Sequence, residues 1–78
     1  MLLKKIENFV KKKTNKKFSK NTNLITSEIL DSYSIIELVS YIEDELKLKC
    51  PMNKISTANF NNLTLIIKFL EKFNKKVT

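Results

Sequence analysis

The chain has 78 residues, a net charge of +7 and one cysteine, so it has room for one domain, residues 1–78, and for no disulfide within it. It contains no histidine, the usual group for acid–base work near neutral pH and a frequent zinc ligand, which argues against independent catalysis and against a zinc site. No run approaches the roughly 20 apolar residues of a membrane-spanning helix, and the amphipathic start does not look like a secretory signal, so we expect a cytoplasmic protein without stable membrane insertion.

The first predicted element is an amphipathic helix from about residue 2 to residue 13. Its apolar residues recur at helical spacing on one face, opposite the lysines: Leu3, Ile6, Phe9 and Val10. A polar stretch over 14–23 follows, in which Phe18 is the one apolar residue. An apolar cluster then predicts a long loop packed onto the core: Leu24, Ile25, Ile29 and Leu30.

The second predicted helix runs from about residue 32 to residue 46. Its buried stripe repeats every three or four residues: Ile35, Leu38, Val39, Ile42 and Leu46. The surrounding segment, 21–46, holds six acids and no lysine. By contrast, residues 1–20 have eight lysines against one acid, and residues 47–78 have seven lysines against one acid. An acidic centre therefore lies between two basic ends.

The last third of the chain predicts a short helical turn and a final helix. Pro51 ends any continuation of the second helix, and a turn is expected over 57–60. The final helix is predicted from Asn62, a suitable N-cap, to about Phe73. Its stripe is Leu63, Ile66, Ile67, Phe69, Leu70 and Phe73, and the lysines Lys72, Lys75 and Lys76 suit its C-terminal end. The predicted fold is all-α, a small monomeric bundle of three main helices plus one short helix.

Asp31 and Ser32 lie where the second helix begins, and both residue types are common N-caps. Ser34 and Glu37 also have the spacing of a capping box. A cap is therefore the simplest interpretation of these residues. A serine exposed at that position also lies where the helix dipole and free backbone amides favour phosphate, so Ser32 is a suitable attachment point for a phosphodiester.

Six residues of the same helix fall within an arc of about 120° beside the buried stripe. They are Tyr33, Ile36, Glu37, Ser40, Glu43 and Asp44. Exposed apolar groups among acids suit docking to a basic patch on a partner, since charges steer the encounter and apolar groups add contact area. An ordinary solvated face is the alternative interpretation.

The run from Asp31 to Leu46 resembles the second helix of acyl carrier proteins. That family shows Asp-Ser-Leu, then Glu-Leu-Val, then a cluster of acids; this chain has Asp31-Ser32-Tyr33, Glu37-Leu38-Val39 and acids at 43–45. Leu48-Lys49-Cys50-Pro51 resembles the connection after that helix, and 55–60 with Leu63 and Ile66 resembles the third and fourth helices. The resemblance covers about 29–70 and implies an acyl-carrier-like bundle.

The resemblance implies an acyl carrier protein whose Ser32 hydroxyl is esterified by 4′-phosphopantetheine from coenzyme A. The thiol of that group would hold an acyl or aminoacyl group as a thioester, and the carrier itself would catalyse nothing. Asp31 would support the transfer. The docking face would serve a phosphopantetheinyl transferase, an acyl-loading ligase or synthase, and downstream acyltransferases.

Three departures from the family pattern shape this expectation. Tyr33 stands where leucine is usual, Ser40 stands where an apolar residue is common, and the chain is basic whereas the family is usually acidic. These departures favour a carrier in a specialised biosynthetic pathway over a housekeeping fatty-acid carrier, and they leave the cargo open.

Two other functions stay open from the sequence. The chain could be a carrier-like interaction module that is never modified, or a small basic nucleic-acid-binding protein using Lys4, Lys5, Lys11, Lys12, Lys13, Lys16 and Lys17. The absence of arginine disfavours nucleic acid as a partner, because arginine to guanine is the commonest specific base contact. Cys50 is expected to be a small, partly buried hydrophobe and not a nucleophile.

Overall fold

The structure, a computed structural model, describes residues 2–74. Its α-helices are α1 (Leu2–Thr14), α2 (Ser32–Ser40), α3 (Thr57–Phe60) and α4 (Leu63–Phe73). A π-helical turn over Tyr41–Glu45 continues α2, and a 3₁₀ turn over Met52–Lys54 precedes α3. No strand occurs within residues 2–74. The predicted all-α fold, with three main helices and one short helix, is confirmed.

Helix α1 packs its apolar face against α2 and α4. Leu2, Ile6 and Val10 are buried, and Leu3 and Phe9 are half-buried against the core. The helix ends because Asn15 takes the left-handed conformation at φ 56°, which asparagine tolerates better than most residues. These observations confirm the predicted first helix and its apolar face.

The long loop between α1 and α2 is fixed to the core by apolar side chains and by one asparagine. Leu24 and Leu30 are fully buried in it, as the sequence predicted. The Oδ1 atom of Asn61 accepts hydrogen bonds from the backbone N–H groups of Ile25 at 2.9 Å and Thr26 at 3.2 Å. The chain therefore enters α2 from a defined position.

Helix α2 begins at Ser32 as predicted and buries Leu38 and Val39. Its continuation is not α-helical, because the N–H of Leu46 donates to the carbonyl of Tyr41, five residues back, at 3.2 Å. Tyr41 also stacks on Phe9 of α1, with 4.5 Å between ring centroids. A wider turn rotates the chain less per residue, so the helical register counted from Ser32 does not hold beyond Ser40.

Helix α4 starts at the predicted cap. The Asn62 side chain accepts a hydrogen bond from the N–H of Leu65 at 2.8 Å, and Phe69 and Leu70 are buried in the core. Asn74 closes the helix by donating to the carbonyl of Leu70 at 2.9 Å. Lys75 and Lys76 lie outside the described residues. No helix among residues 2–74 has both the length and the apolar character needed to cross a membrane.

Candidate functional site

Asp31 is the N-cap of α2. Its backbone is extended, and its Oδ1 atom accepts a hydrogen bond from the N–H of Ser34 at 2.8 Å. Hydrogen bonds from Ser34, first from its backbone amide and then from its side chain, hold the pKa of the Asp31 carboxyl below its ordinary value. The predicted capping box of Ser34 and Glu37 is wrong, because Ser34 already lies in the first turn of the helix and Glu37 bonds to α1.

Ser32 is the first residue of α2, and its side chain is exposed. Within the described part of the chain, no hydrogen bond occupies its hydroxyl group. The two serines differ, because Ser34 donates a hydrogen bond to the capping side chain of Asp31. Ser32 instead exposes its hydroxyl group to solvent at the N-terminus of the helix. The local geometry thus distinguishes the predicted attachment residue from its neighbour.

A cavity of about 310 Å³ opens beside Ser32, between the long loop, α2 and the segment leading into α3. Most of its wall is apolar: Ile25, Ile35, Ile36, Met52 and Ile55, with Ser56 and Thr57 completing it. No charged side chain of the described residues lines it. Sequence reasoning missed this cavity, because its walls come from three segments that are distant along the chain.

A groove of about 550 Å³ runs between α1 and α2 and collects most of the predicted docking residues. Tyr33 and Ile36 are 69% and 51% exposed there. The groove is lined by Phe9, Lys13, Tyr33, Ile36, Glu37, Ser40, Tyr41, Asp44 and Glu45. Glu43, which we predicted on this face, is exposed but does not line the groove, and Glu45 does. The π-helical turn explains the exchange, because it changes the register after Ser40.

Glu37 ties the two helices together. Its Oε2 atom lies 2.8 Å from the Nζ atom of Lys13, and this hydrogen bond raises the pKa of the lysine. Its Oε1 atom is buried and has no hydrogen-bond partner among the described residues. Lys13 therefore compensates the charge of Glu37, and the other acids that line the groove are Asp44 and Glu45.

Cys50 is only 1% exposed, so it is more deeply buried than the partly buried hydrophobe that the sequence predicted. Burial, with the nearby charge of Glu43 as a smaller cause, raises the pKa of the thiol to about 12. The thiol is therefore protonated at neutral pH and packs as a small hydrophobe. Among residues 2–74, no group of histidine, cysteine, aspartate and glutamate side chains is arranged to hold a metal ion.

No protein-family model and no curated protein sequence matches this chain. The assignment of the site therefore depends on the residues around Ser32 and on their geometry. Three features meet there: an exposed hydroxyl at a helix N-terminus, an apolar cavity, and an acidic groove on the same helix.

Proposed function

We propose that this chain is an acyl carrier protein, which holds an acyl or aminoacyl group as a thioester on 4′-phosphopantetheine attached to Ser32. The observation that carries the proposal is the position of Ser32, whose exposed hydroxyl lies at the start of α2 and on the rim of an apolar cavity. The resemblance of 31–46 to the second helix of the family supports the same residue.

The residues around Ser32 fit a phosphodiester. The first turn of α2 presents backbone amides and the positive end of the helix dipole, both of which stabilise a phosphate. The neighbouring carboxylate of Asp31 is engaged by Ser34, and the cavity wall of the described residues brings no further acid toward the hydroxyl. When bound, 4′-phosphopantetheine would supply the thiol that forms the thioester.

The cavity beside Ser32 fits the storage of an apolar cargo. Its five apolar residues would remove an acyl chain from water, which is favourable by about 25 cal/mol for each Å² of apolar surface buried. Met52 is the most adaptable of these side chains, and Met52 is itself about half exposed. The chain would thus protect its cargo and leave the chemistry to its partners.

The groove between α1 and α2 fits the recognition of those partners. Asp44 and Glu45 would attract a basic patch, while Tyr33 and Ile36 would supply apolar contact. A phosphopantetheinyl transferase, an acyl-loading ligase or synthase, and downstream acyltransferases would use this surface in turn.

Intact-mass measurement tests the proposal. The purified protein is incubated with coenzyme A, magnesium and a promiscuous phosphopantetheinyl transferase, and we expect the addition of one phosphopantetheine. Ser32→Ala should abolish the addition. Ser34→Ala is the matched control, since it removes the same group from the same turn of the helix, and it should leave the addition intact.

Two results would contradict the proposal. The first is modification that survives Ser32→Ala and is lost in Ser34→Ala, which would move the site. The second is a wholly unmodified protein both after incubation and when purified from its native host, which would favour a carrier-like module that is never loaded.

A further inference from the structure

A second cavity, of about 260 Å³, opens between α3 and α4. It shares no lining residue with the cavity beside Ser32 or with the groove between α1 and α2. Its apolar wall is formed by Ala58, Leu65, Phe69 and Phe73, and three lysines surround it: Lys54, Lys68 and Lys72. The proposed carrier function uses none of these residues.

One face of α4 builds most of this cavity. Leu65, Phe69 and Phe73 are spaced four residues apart, so they form a single apolar row along the helix. The row is fixed in place, because Phe69 is buried and meets the Phe60 ring edge-on at 5.4 Å. Lys68 and Lys72 follow the same spacing beside this row and are exposed. The cavity therefore has an ordered apolar wall with positive charge along its margin.

No acid among residues 2–74 lines the cavity. The ion pairs between described residues use other lysines: Lys4, Lys11 and Lys13. Asn59, the remaining polar residue of the wall, accepts from the N–H of Ser56 at 2.9 Å and donates to the carbonyl of Lys54 at 2.7 Å. The three ammonium groups are the only charged groups among the described residues of the wall, so recognition of an anion in this cavity depends on them.

We propose that this cavity is a binding site for a small anionic amphiphile, meaning a carboxylate or phosphate monoester on a short alkyl or aryl group. The anion would contact Lys54, Lys68 and Lys72, and the apolar part would lie on Leu65 and Phe73. The charge and the apolar wall are both needed: lysines alone would attract any anion, and the wall selects one that carries an apolar group. The site is independent of modification at Ser32.

Titration of ¹⁵N-labelled protein with hexyl phosphate at low salt tests this site. We expect the largest amide shifts at residues 58–59 and 65–73. Hexanol, which lacks the anionic group, and inorganic phosphate, which lacks the alkyl chain, should both bind more weakly than hexyl phosphate. The double variant Lys68→Gln/Lys72→Gln should bind about fivefold more weakly, the effect of two exposed ion pairs. Lys16→Gln/Lys17→Gln removes the same charge from the exposed part of the long loop and should bind like the wild type.

Several outcomes would overturn the inference. Hexyl phosphate could shift Ile25 and Ile55 instead, which would place it in the cavity beside Ser32. If both double variants bound hexyl phosphate equally more weakly than the wild type, the net charge of the protein alone would explain the binding. If hexanol bound as tightly as hexyl phosphate, the lysines would have no role in recognition. Binding to phosphatidylglycerol vesicles without binding of monomeric hexyl phosphate would assign the lysines to a membrane surface. The substituted lysines are exposed, so we expect both double variants to keep the melting temperature of the wild type. A melting temperature equal to that of the wild type would show that each variant is folded.

Discussion

Asp31 serves the structure as an N-cap and is proposed to serve the transferase as a carboxylate, and two substitutions separate these roles. Asparagine caps a helix as well as aspartate does, so Asp31→Asn should keep the melting temperature of the wild type, whereas Asp31→Ala should lower it by roughly 5 °C. Both variants should lose transfer to Ser32, because both lack the carboxylate. Circular dichroism and intact mass measure the two effects. Transfer to Asp31→Asn at the wild-type rate would show that Asp31 is only a cap.

The same cap gives a dependence of stability on pH. The pKa of Asp31 is lowered in the folded protein from its ordinary value of 3.8. Its contribution to stability is therefore complete above pH 3.8 and is lost as the pH falls through the lower, folded pKa. The difference in unfolding free energy between the wild type and Asp31→Asn isolates this group, because the other acids are common to both proteins. A difference that stays constant through this range would contradict the assignment.

The buried thiol of Cys50 predicts a protected cysteine. With a pKa of about 12 the thiolate is scarce near neutral pH, and burial blocks the reagent as well. We expect a thiol reagent to modify the native protein far more slowly than the same protein in denaturant. The reaction should accelerate as the pH rises toward 12, since the thiolate fraction grows. Equal rates in the native and denatured protein would show that Cys50 is accessible.

At the scale of the elements, Asn61 fixes the loop that leads into Ser32. It accepts from the backbone amides of Ile25 and Thr26, so Asn61→Ala should cost about 1–2 kcal/mol and speed hydrogen exchange at these two amides. Asn53→Ala is a matched control, because Asn53 is exposed on the 3₁₀ turn. Unchanged exchange at Ile25 and Thr26 would show that apolar packing alone holds the loop.

The elements also show which features the sequence can predict. The apolar rows of α1 and α4 and the cap at Asn62 depend on neighbours within one turn, so periodicity and residue type predicted them. The pairing of Lys13 with Glu37 joins residues that are far apart along the chain, and no local pattern reports it. The π-helical turn, where Tyr41 stacks on Phe9, has no local signature either. For that reason the sequence placed Glu43 on the predicted docking face, whereas in the structure Glu45, and not Glu43, lines the groove.

At the scale of the whole molecule, ion pairs in the folded chain neutralise part of the charge that is segregated along the sequence. Lys4 and Lys11 flank Glu7, and Lys13 compensates Glu37, so part of the basic N-terminal block neutralises nearby acids. Of the acids in 21–46, Glu37 is paired in this way, so the acidic surface is narrower than the composition of that segment implies. Within the groove this surface comprises Asp44 and Glu45, beside the exposed side chains of Tyr33 and Ile36.

This narrower surface gives a prediction about rate. Asp44→Lys/Glu45→Lys should lower kcat/KM for transfer to Ser32 by about tenfold at low salt, because it reverses the charge that steers a basic partner. Glu28→Lys/Glu43→Lys makes the same change in net charge outside the groove and should leave kcat/KM near the wild-type value. The gap between the two variants should shrink as salt screens the charges. An equal loss in both would mean that net charge alone sets the rate, and the groove would then have no special role in docking.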